Sequence, residues 1–191
     1  MTEVDVVAIG ASAGGVAALP VVLSMLATDF GPAVLVVQHL DPHARSYLAS
    51  VLGRHCRLPV KEAANGDVLQ HGVVYVAPPG AHLEVHGDTL ALSDTPPVHF
   101  CRPSVDVLFR SVARARGVRA VGVILTGAGV DGAAGLRAIK DAGGRTIVED
   151  PLTAEHSGMP GAAHATGRAD MTLPLAEIGA AINEFVPVPR G

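Results

Sequence analysis

Aromatic side chains and charges are scarce in this chain of 191 residues, and tryptophan is absent. Aromatic residues make up 3% and charged residues 17%, whereas apolar residues make up 49%. A core built from Val, Leu, Ile and Ala is typical of a parallel β-sheet covered by helices. The composition therefore favours an α/β protein, and the length predicts one domain spanning residues 1–191.

Cysteine is also scarce. The two residues, Cys56 and Cys101, lie far apart and in no C-x-x-C arrangement. This spacing excludes both a disulfide framework and a zinc site of the usual sequence pattern. We expect both to be buried or incidental thiols in a reducing compartment.

The chain further lacks a basic block, an acidic tail and any apolar run near the ~20 residues of a membrane span. Its net charge is only −4. We therefore expect no nucleic-acid partner and no membrane insertion. Because the first residues have no basic segment of the kind that opens a signal peptide, we expect a cytoplasmic protein.

What the chain does have is a buried apolar run that ends in small residues, at residues 6–15. This pattern predicts a strand that turns sharply into a helix. A dinucleotide-binding loop needs glycine at the middle position of G-x-G-x-x-G, and Ser12 stands there instead. Gly10, Ser12 and Gly14 do satisfy G-x-S-x-G, which presents a nucleophilic serine. A plain helix cap remains an alternative role for Ser12.

Strands and helices alternate along the rest of the chain. Asp41 as cap and Pro42 at the first helical position predict the start of the second helix. Residues 58–97 predict short strands, with a hairpin over residues 82–92. The prediction is a single doubly wound, mostly parallel sheet with helices on both faces and an antiparallel hairpin at one edge. The main predicted strands are residues 6–9, 33–37, 120–125, 146–149 and 171–173, and the main helices are residues 15–26, 41–54, 105–116, 133–142 and 175–185.

Three of the predicted strands are followed by residues that could form a catalytic triad. Ser12, His39 and Asp131 each follow a strand, and right-handed crossovers bring the ends of parallel strands to one edge of the sheet. Ser12 would be the nucleophile, His39 the general base and then acid, and Asp131 the group that orients the imidazole. Backbone N–H groups of residues 127–129, or of the helix after Ser12, would form an oxyanion hole. Capping of the helix at residue 133 is an alternative role for Asp131.

Of the nine histidines, His99 and His156 lie in loops near this edge and are candidates for substrate contacts. Six others have no partner at metal-ligand spacing, and we expect them to be solvated surface residues. These are His43, His55, His71, His82, His86 and His164.

Six segments of the chain carry a further signal, in this order: residues 9–15, 37–39, 75–79, 102–109, 122–127 with 129–135, and 158–160. Together they resemble a known family, the catalytic domain of chemotaxis protein-glutamate methylesterase of the CheB type. The resemblance implies a doubly wound domain that hydrolyses glutamate γ-methyl esters on the cytoplasmic helices of methyl-accepting chemoreceptors, with glutamine deamidation as a companion activity. It implies no cofactor and no metal, and it maps the family's triad onto Ser12, His39 and Asp131.

The chain departs from the family's pattern in three ways. It begins at the catalytic strand rather than at a receiver domain, so we expect regulation through a separate response-regulator receiver protein, unless the sequence is a fragment. Ala13 and Ala128 stand where the family usually has threonine and methionine. A non-catalytic adaptor or binding module of a chemosensory or two-component pathway is the alternative function. A nucleotide-dependent enzyme is disfavoured because Ser12 stands where the dinucleotide-binding motif needs its middle glycine.

Overall fold

The computed structural model describes residues 4–43 and 45–186, so the predicted domain limits at residues 1 and 191 lie outside it. This part of the chain contains nine strands and six α-helices, which alternate except where β3 to β6 follow one another. The strands are β1 (Val6–Ala11), β2 (Ala33–Gln38), β3 (Val60–Glu62), β4 (Val74–Val76), β5 (His82–His86), β6 (Thr89–Ser93), β7 (Ala120–Ile124), β8 (Arg145–Glu149) and β9 (Met171–Leu173). The helices are α1 (Gly15–Ser24), α2 (Leu48–Gly53), α3 (Val105–Arg116), α4 (Ala133–Asp141), α5 (Gly158–Ala165) and α6 (Leu175–Phe185).

Seven strands form one parallel sheet in the order β3-β4-β2-β1-β7-β8-β9. Strand β1 lies at the centre, and every residue in it is buried. Its neighbours β2 and β7 lie on opposite sides, so the direction of winding reverses at β1. In open α/β sheets, ligands bind at the carboxyl ends of the strands where such a reversal occurs.

Successive residues of β1 enter two different cores, as the pleat of a strand requires. Val7 and Ile9 pack in a core with α1, α2 and α6, whereas Val6 and Ala8 pack in a core with α3, α4 and α5. Both faces of the sheet are therefore covered by helices. This confirms the predicted α/β class and explains why the strand sequences are continuous apolar runs.

The hairpin differs in position from the prediction. Strands β5 and β6 pair with each other as a separate antiparallel sheet, while β3 and β4 are parallel strands of the main sheet. The hairpin packs against α3, where the Ser111 hydroxyl accepts a hydrogen bond from the Val85 N–H at 2.9 Å. Leu83 and Leu90 fill this contact and are completely buried. The hairpin is thus buried against α3 and does not pair with an edge strand of the main sheet.

Two helix limits also differ from the prediction. Helix α2 begins only at Leu48, because the Asp41 carboxylate accepts a hydrogen bond from the His43 N–H at 2.9 Å and closes a local turn where a helix was expected. The sequence also predicts a loop over residues 155–161 that is followed by a short helix. Helix α5 instead begins at Gly158, inside that loop, since Met159 is completely buried against the sheet.

None of the helices in the described part of the chain is both long enough and apolar enough to cross a bilayer.

Candidate active site

The pairing of β1 with β2 places Ser12 and His39 side by side. Ala11 and Gln38 are register partners in this parallel pair, and Ser12 and His39 are the next residue of each strand. The ladder extends to them, because the His39 N–H donates to the Ala11 carbonyl at 3.0 Å. On its other side, the Ser12 N–H donates to the Thr126 carbonyl at 3.0 Å. Hydrogen bonds from both neighbouring segments therefore fix the backbone of Ser12.

The turn after Ser12 requires small residues. Gly14 has a φ of +80°, a conformation that L side chains rarely adopt, and α1 begins at the next residue. Across the turn, a Cβ added at Gly127 would lie 2.8 Å from the Ser12 Cβ and 2.4 Å from the Met159 sulfur. The glycines that the sequence shows around Ser12 thus allow the close approach of β1 and the segment after β7.

Asp131 lies at the N-terminus of a helix, but not the one that follows it in sequence. Its carboxylate accepts hydrogen bonds from the Ser104 hydroxyl at 2.8 Å, the Val105 N–H at 2.7 Å and the Asp106 N–H at 3.0 Å, all at the start of α3. The alternative prediction is that Asp131 caps the helix at residue 133, which is α4. That prediction is wrong, because Asp131 caps α3. The free N–H groups of α3 stabilise the ionised carboxylate.

Asp106 supplies the missing cap in return. One oxygen of its buried carboxylate accepts hydrogen bonds from the Gly132 N–H at 3.1 Å and the Gly135 N–H at 2.6 Å, at the start of α4. The exchange is reciprocal. Asp131, just before α4, accepts hydrogen bonds from the start of α3, and Asp106 of α3 accepts hydrogen bonds from the start of α4. This exchange ties the loop that contains Asp131 to the helix that holds its side chain.

The imidazole of His39 contacts Asp131 on one side and Cys101 on the other. The Nε2 atom lies 2.8 Å from the Asp131 Oδ2, and the Nδ1 atom lies 3.4 Å from the Cys101 sulfur. Burial lowers the pKa of His39, but the hydrogen bonds with Asp131 and Cys101 outweigh burial and raise the pKa to about 9. For Asp131, burial raises the pKa, but hydrogen bonds from His39 and the start of α3 outweigh it and lower the pKa.

Cys101 is the residue at this site that the sequence did not reveal. It is a free, partly buried thiol, as is Cys56, and its sulfur lies 3.4 Å from the His39 Nδ1, a contact that the expectation of a buried or incidental thiol did not include. Its partner His39 is 62 positions away, and no local pattern announces such a contact. The only signal was its position in a polar loop just before a helix cap.

The groups of His39, Cys101 and Asp131 lie within 4.8 Å of one another, a spacing that a metal ion could bridge. However, each oxygen of Asp131 already accepts two hydrogen bonds, which fills the acceptor capacity of the carboxylate. The hydrogen bonds of Asp131 therefore leave no carboxylate lone pair free for a metal ion.

The expected oxyanion donors can be narrowed. The Gly127 N–H donates to the His156 carbonyl at 3.0 Å and is therefore occupied. Within residues 4–43 and 45–186, the N–H groups of Ala128 and Gly129 have no protein acceptor, and neither do the N–H groups of Ala13 and Gly14. Ala13 and Gly14 directly follow Ser12 at the N-terminus of α1, where backbone donors and the helix dipole favour negative charge.

His82 contradicts the expectation that it is a solvated surface residue. It is completely buried, because the hairpin packs against α3. Its Nδ1 accepts a hydrogen bond from the Ser104 N–H at 3.1 Å, and its Nε2 lies 3.2 Å from the Pro96 carbonyl. His82 therefore supports the residue that caps α3 and binds Asp131.

The two histidines predicted to contact substrate are both exposed. The His99 imidazole pairs with the Asp106 carboxylate at 3.2 Å, and the main chain of His156 is bonded to the Thr126 hydroxyl at 2.8 Å. Beside His39 and Cys101 lies a cavity of about 260 Å³. Phe100, which is fully exposed, forms part of its wall.

Fold and site together define a doubly wound α/β protein with a Ser, His and Asp grouping at the carboxyl edge of its sheet. The family model described as CheB methylesterase matches residues 7–182. The chain therefore belongs to the CheB methylesterase family.

Two curated relatives differ in how much of their length the chain spans. It is 49% identical over 183 residues to "Protein-glutamate methylesterase/protein-glutamine glutaminase 2" of Anaeromyxobacter dehalogenans, covering 96% of this chain and 54% of the relative. It is 41% identical over 175 residues to a "Putative protein-glutamate methylesterase/protein-glutamine glutaminase" of Leptospira interrogans, covering 91% of each. The chain thus spans about half the length of the first relative and nearly all of the second.

Among solved structures, the Thermotoga maritima CheB methylesterase catalytic domain is similar, with a TM-score of 0.91 and 33% sequence identity. The match covers 97% of this chain and 100% of that domain. This likeness agrees with the parallel sheet and helices described above.

Proposed function

We propose that this protein is a serine esterase that hydrolyses glutamate γ-methyl esters on the cytoplasmic helices of chemoreceptors, with glutamine deamidation as a second activity. The observation behind the proposal is the position of His39. Its Nε2 lies 2.8 Å from the Asp131 Oδ2, and its backbone lies beside that of Ser12 on the neighbouring strand. Membership of the CheB methylesterase family and the names of the relatives support the substrate class. They do not favour the adaptor alternative.

In this mechanism Ser12 is the nucleophile and His39 transfers the protons. The Ser12 hydroxyl attacks the ester carbonyl, and His39 accepts its proton on Nδ1, since Nε2 is engaged by Asp131. Methanol leaves with that proton, and an acyl-Ser12 ester remains. Water then gives a proton to His39 and attacks the ester, which releases glutamate and restores Ser12.

The contacts of His39 bear on the first step of this mechanism. In the described part of the chain, the Ser12 hydroxyl makes no hydrogen bond to His39, whose Nδ1 faces Cys101. Catalytic hydrogen bonds are often formed only once substrate is bound. We infer that His39 exchanges its contact with Cys101 for one with Ser12 when the ester enters.

The Ser12→Ala variant tests the mechanism. We expect it to lose methanol release from methylated receptor by at least ~10³-fold, because no nucleophile remains, while the melting temperature is unchanged. A fluorophosphonate probe should label Ser12 in the wild-type protein and leave the variant unlabelled. Full activity in the variant would refute the mechanism, and an unlabelled wild-type serine in folded protein would favour an adaptor.

A further inference from the structure

Gln38 connects the backbone of Ser12 to the backbone of His39. Its side chain is only 4% exposed and crosses the turn after β1. The Nε2 atom donates to the Ser12 carbonyl at 2.7 Å and to the His39 carbonyl at 3.0 Å. Both N–H bonds of a single carboxamide are thus used on the two segments that present the proposed nucleophile and base.

The orientation of this carboxamide follows from its surroundings. Reversing the amide would place its oxygen against two carbonyl oxygens, which would repel it. In the observed orientation Oε1 is buried and, among the described residues, has no hydrogen-bond partner. An unpaired buried acceptor destabilises the folded state, so the two donated hydrogen bonds must offset that cost.

Gly15 leaves the space that the Gln38 carboxamide occupies. A Cβ at Gly15 would lie 2.0 Å from the Gln38 Oε1 and 2.7 Å from the Ala11 Cβ. The carboxamide therefore packs directly on the first residue of α1. Only glycine at this position lets the side chain lie flat across the turn.

We propose that Gln38 is a positioning residue that sets the distance between the Ser12 and His39 segments. It acts through their carbonyl groups, so its effect falls on the alignment of the reacting groups and not on substrate affinity. A displacement of ~1 Å at a catalytic group can reduce turnover by about 100-fold. The inference rests on the proposed roles of Ser12 and His39.

Two substitutions at Gln38 test this role. Gln38→Glu keeps the shape but replaces the donor with an acceptor facing two carbonyls, and Gln38→Met keeps the length without any donor. For both variants we expect kcat to fall roughly 10- to 100-fold with KM unchanged, and the rate of fluorophosphonate labelling of Ser12 to fall in parallel. Gln38→Met remains informative if burial of a charge prevents Gln38→Glu from folding.

Gln70→Glu is the matched control. Gln70 also precedes a histidine, but its side chain is exposed ahead of β4. We expect its kcat and labelling rate to equal those of the wild type. A lower melting temperature of the Gln38 variants with unchanged kcat per folded molecule would show a purely structural role and overturn the inference. Activity that survives Ser12→Ala would instead refute the proposed function, so the two failures are distinguishable.

Discussion

The parallel sheet has an amino edge and a carboxyl edge, where its strands begin and end, and each edge places a carboxylate beside a cationic side chain. The groups that bind the carboxylate differ between the two edges. At the amino edge, Asp5 lies 2.7 Å from an Arg119 nitrogen and 3.4 Å from the Arg116 Nε. At the carboxyl edge, Asp131 is held by donors at the start of α3, and its one ionisable partner is His39.

This difference decides which edge can move protons. Arginine stays charged at any physiological pH, so the arginine partners of Asp5 neither accept nor release a proton. Burial raises the pKa of Asp5, and its two arginines only partly oppose that effect. At Asp131 the hydrogen bonds outweigh burial and lower the pKa, which leaves His39 as the group that titrates.

Asp131→Asn should show the largest effect. The amide keeps the shape, but it is neutral and presents a donor to groups that also donate. We expect kcat to fall about 10⁴-fold, as for a triad that loses the carboxylate behind its histidine. Steady-state methanol release measures this loss. Retention of most of the activity would mean that the carboxyl edge does not depend on the charge of Asp131.

Cys101→Ala should change the pH dependence. Because the pKa of His39 is raised to about 9, the base is protonated at neutral pH, and kcat/KM should rise with pH between 7 and 9. Removing the thiol removes one cause of the raised pKa. We therefore expect the rising limb to move to lower pH and activity at pH 7 to increase up to ~10-fold.

A pH–rate profile of the wild type and the variant makes this comparison. Cys56→Ala is its control, since that thiol lies against the Leu23 carbonyl and not at His39. An unshifted limb in Cys101→Ala would show that the thiol does not influence the base.

Ser104→Ala should show a smaller effect on activity. It removes one of four hydrogen bonds to Asp131 and the cap of α3. We expect a kcat decrease of roughly 3- to 10-fold and a loss of about 1 kcal/mol in the free energy of unfolding. Ser111→Ala is the matched control, because that buried serine of α3 bonds only Val85 and Leu108. If both variants lose stability and neither loses kcat, the hydroxyl of Ser104 has no role at the site.

Asp5→Asn should show the smallest effect on activity. The substitution leaves the buried Arg116 paired with Asp88 alone. We expect the free energy of unfolding, measured by urea titration, to fall by roughly 1–3 kcal/mol with kcat unchanged. A marked loss of kcat would contradict the separation between the two edges.

Much of the fold was predictable because its signals are local. Strands β2 and β7 must be buried on both faces, and such strands appear as uninterrupted aliphatic runs. Helix α3 has the limits predicted for it, residues 105–116, and Ser104 caps its N-terminus. One failure occurred where two local contacts compete, at Asp41, whose carboxylate closes a turn instead of starting a helix. The others, such as the position of the hairpin, came from tertiary packing.

The sequence by itself determined the alternation of strands and helices, and with it the edge at which Ser12, His39 and Asp131 lie. Right-handed crossovers between parallel strands leave little freedom there. The tertiary structure alone decided what each side chain touches: Asp131 at the start of α3, Cys101 at His39, His82 beneath Ser104, and Gln38 across the turn. These contacts join residues far apart in sequence, and their geometry depends on how helices and loops pack, which no local pattern records.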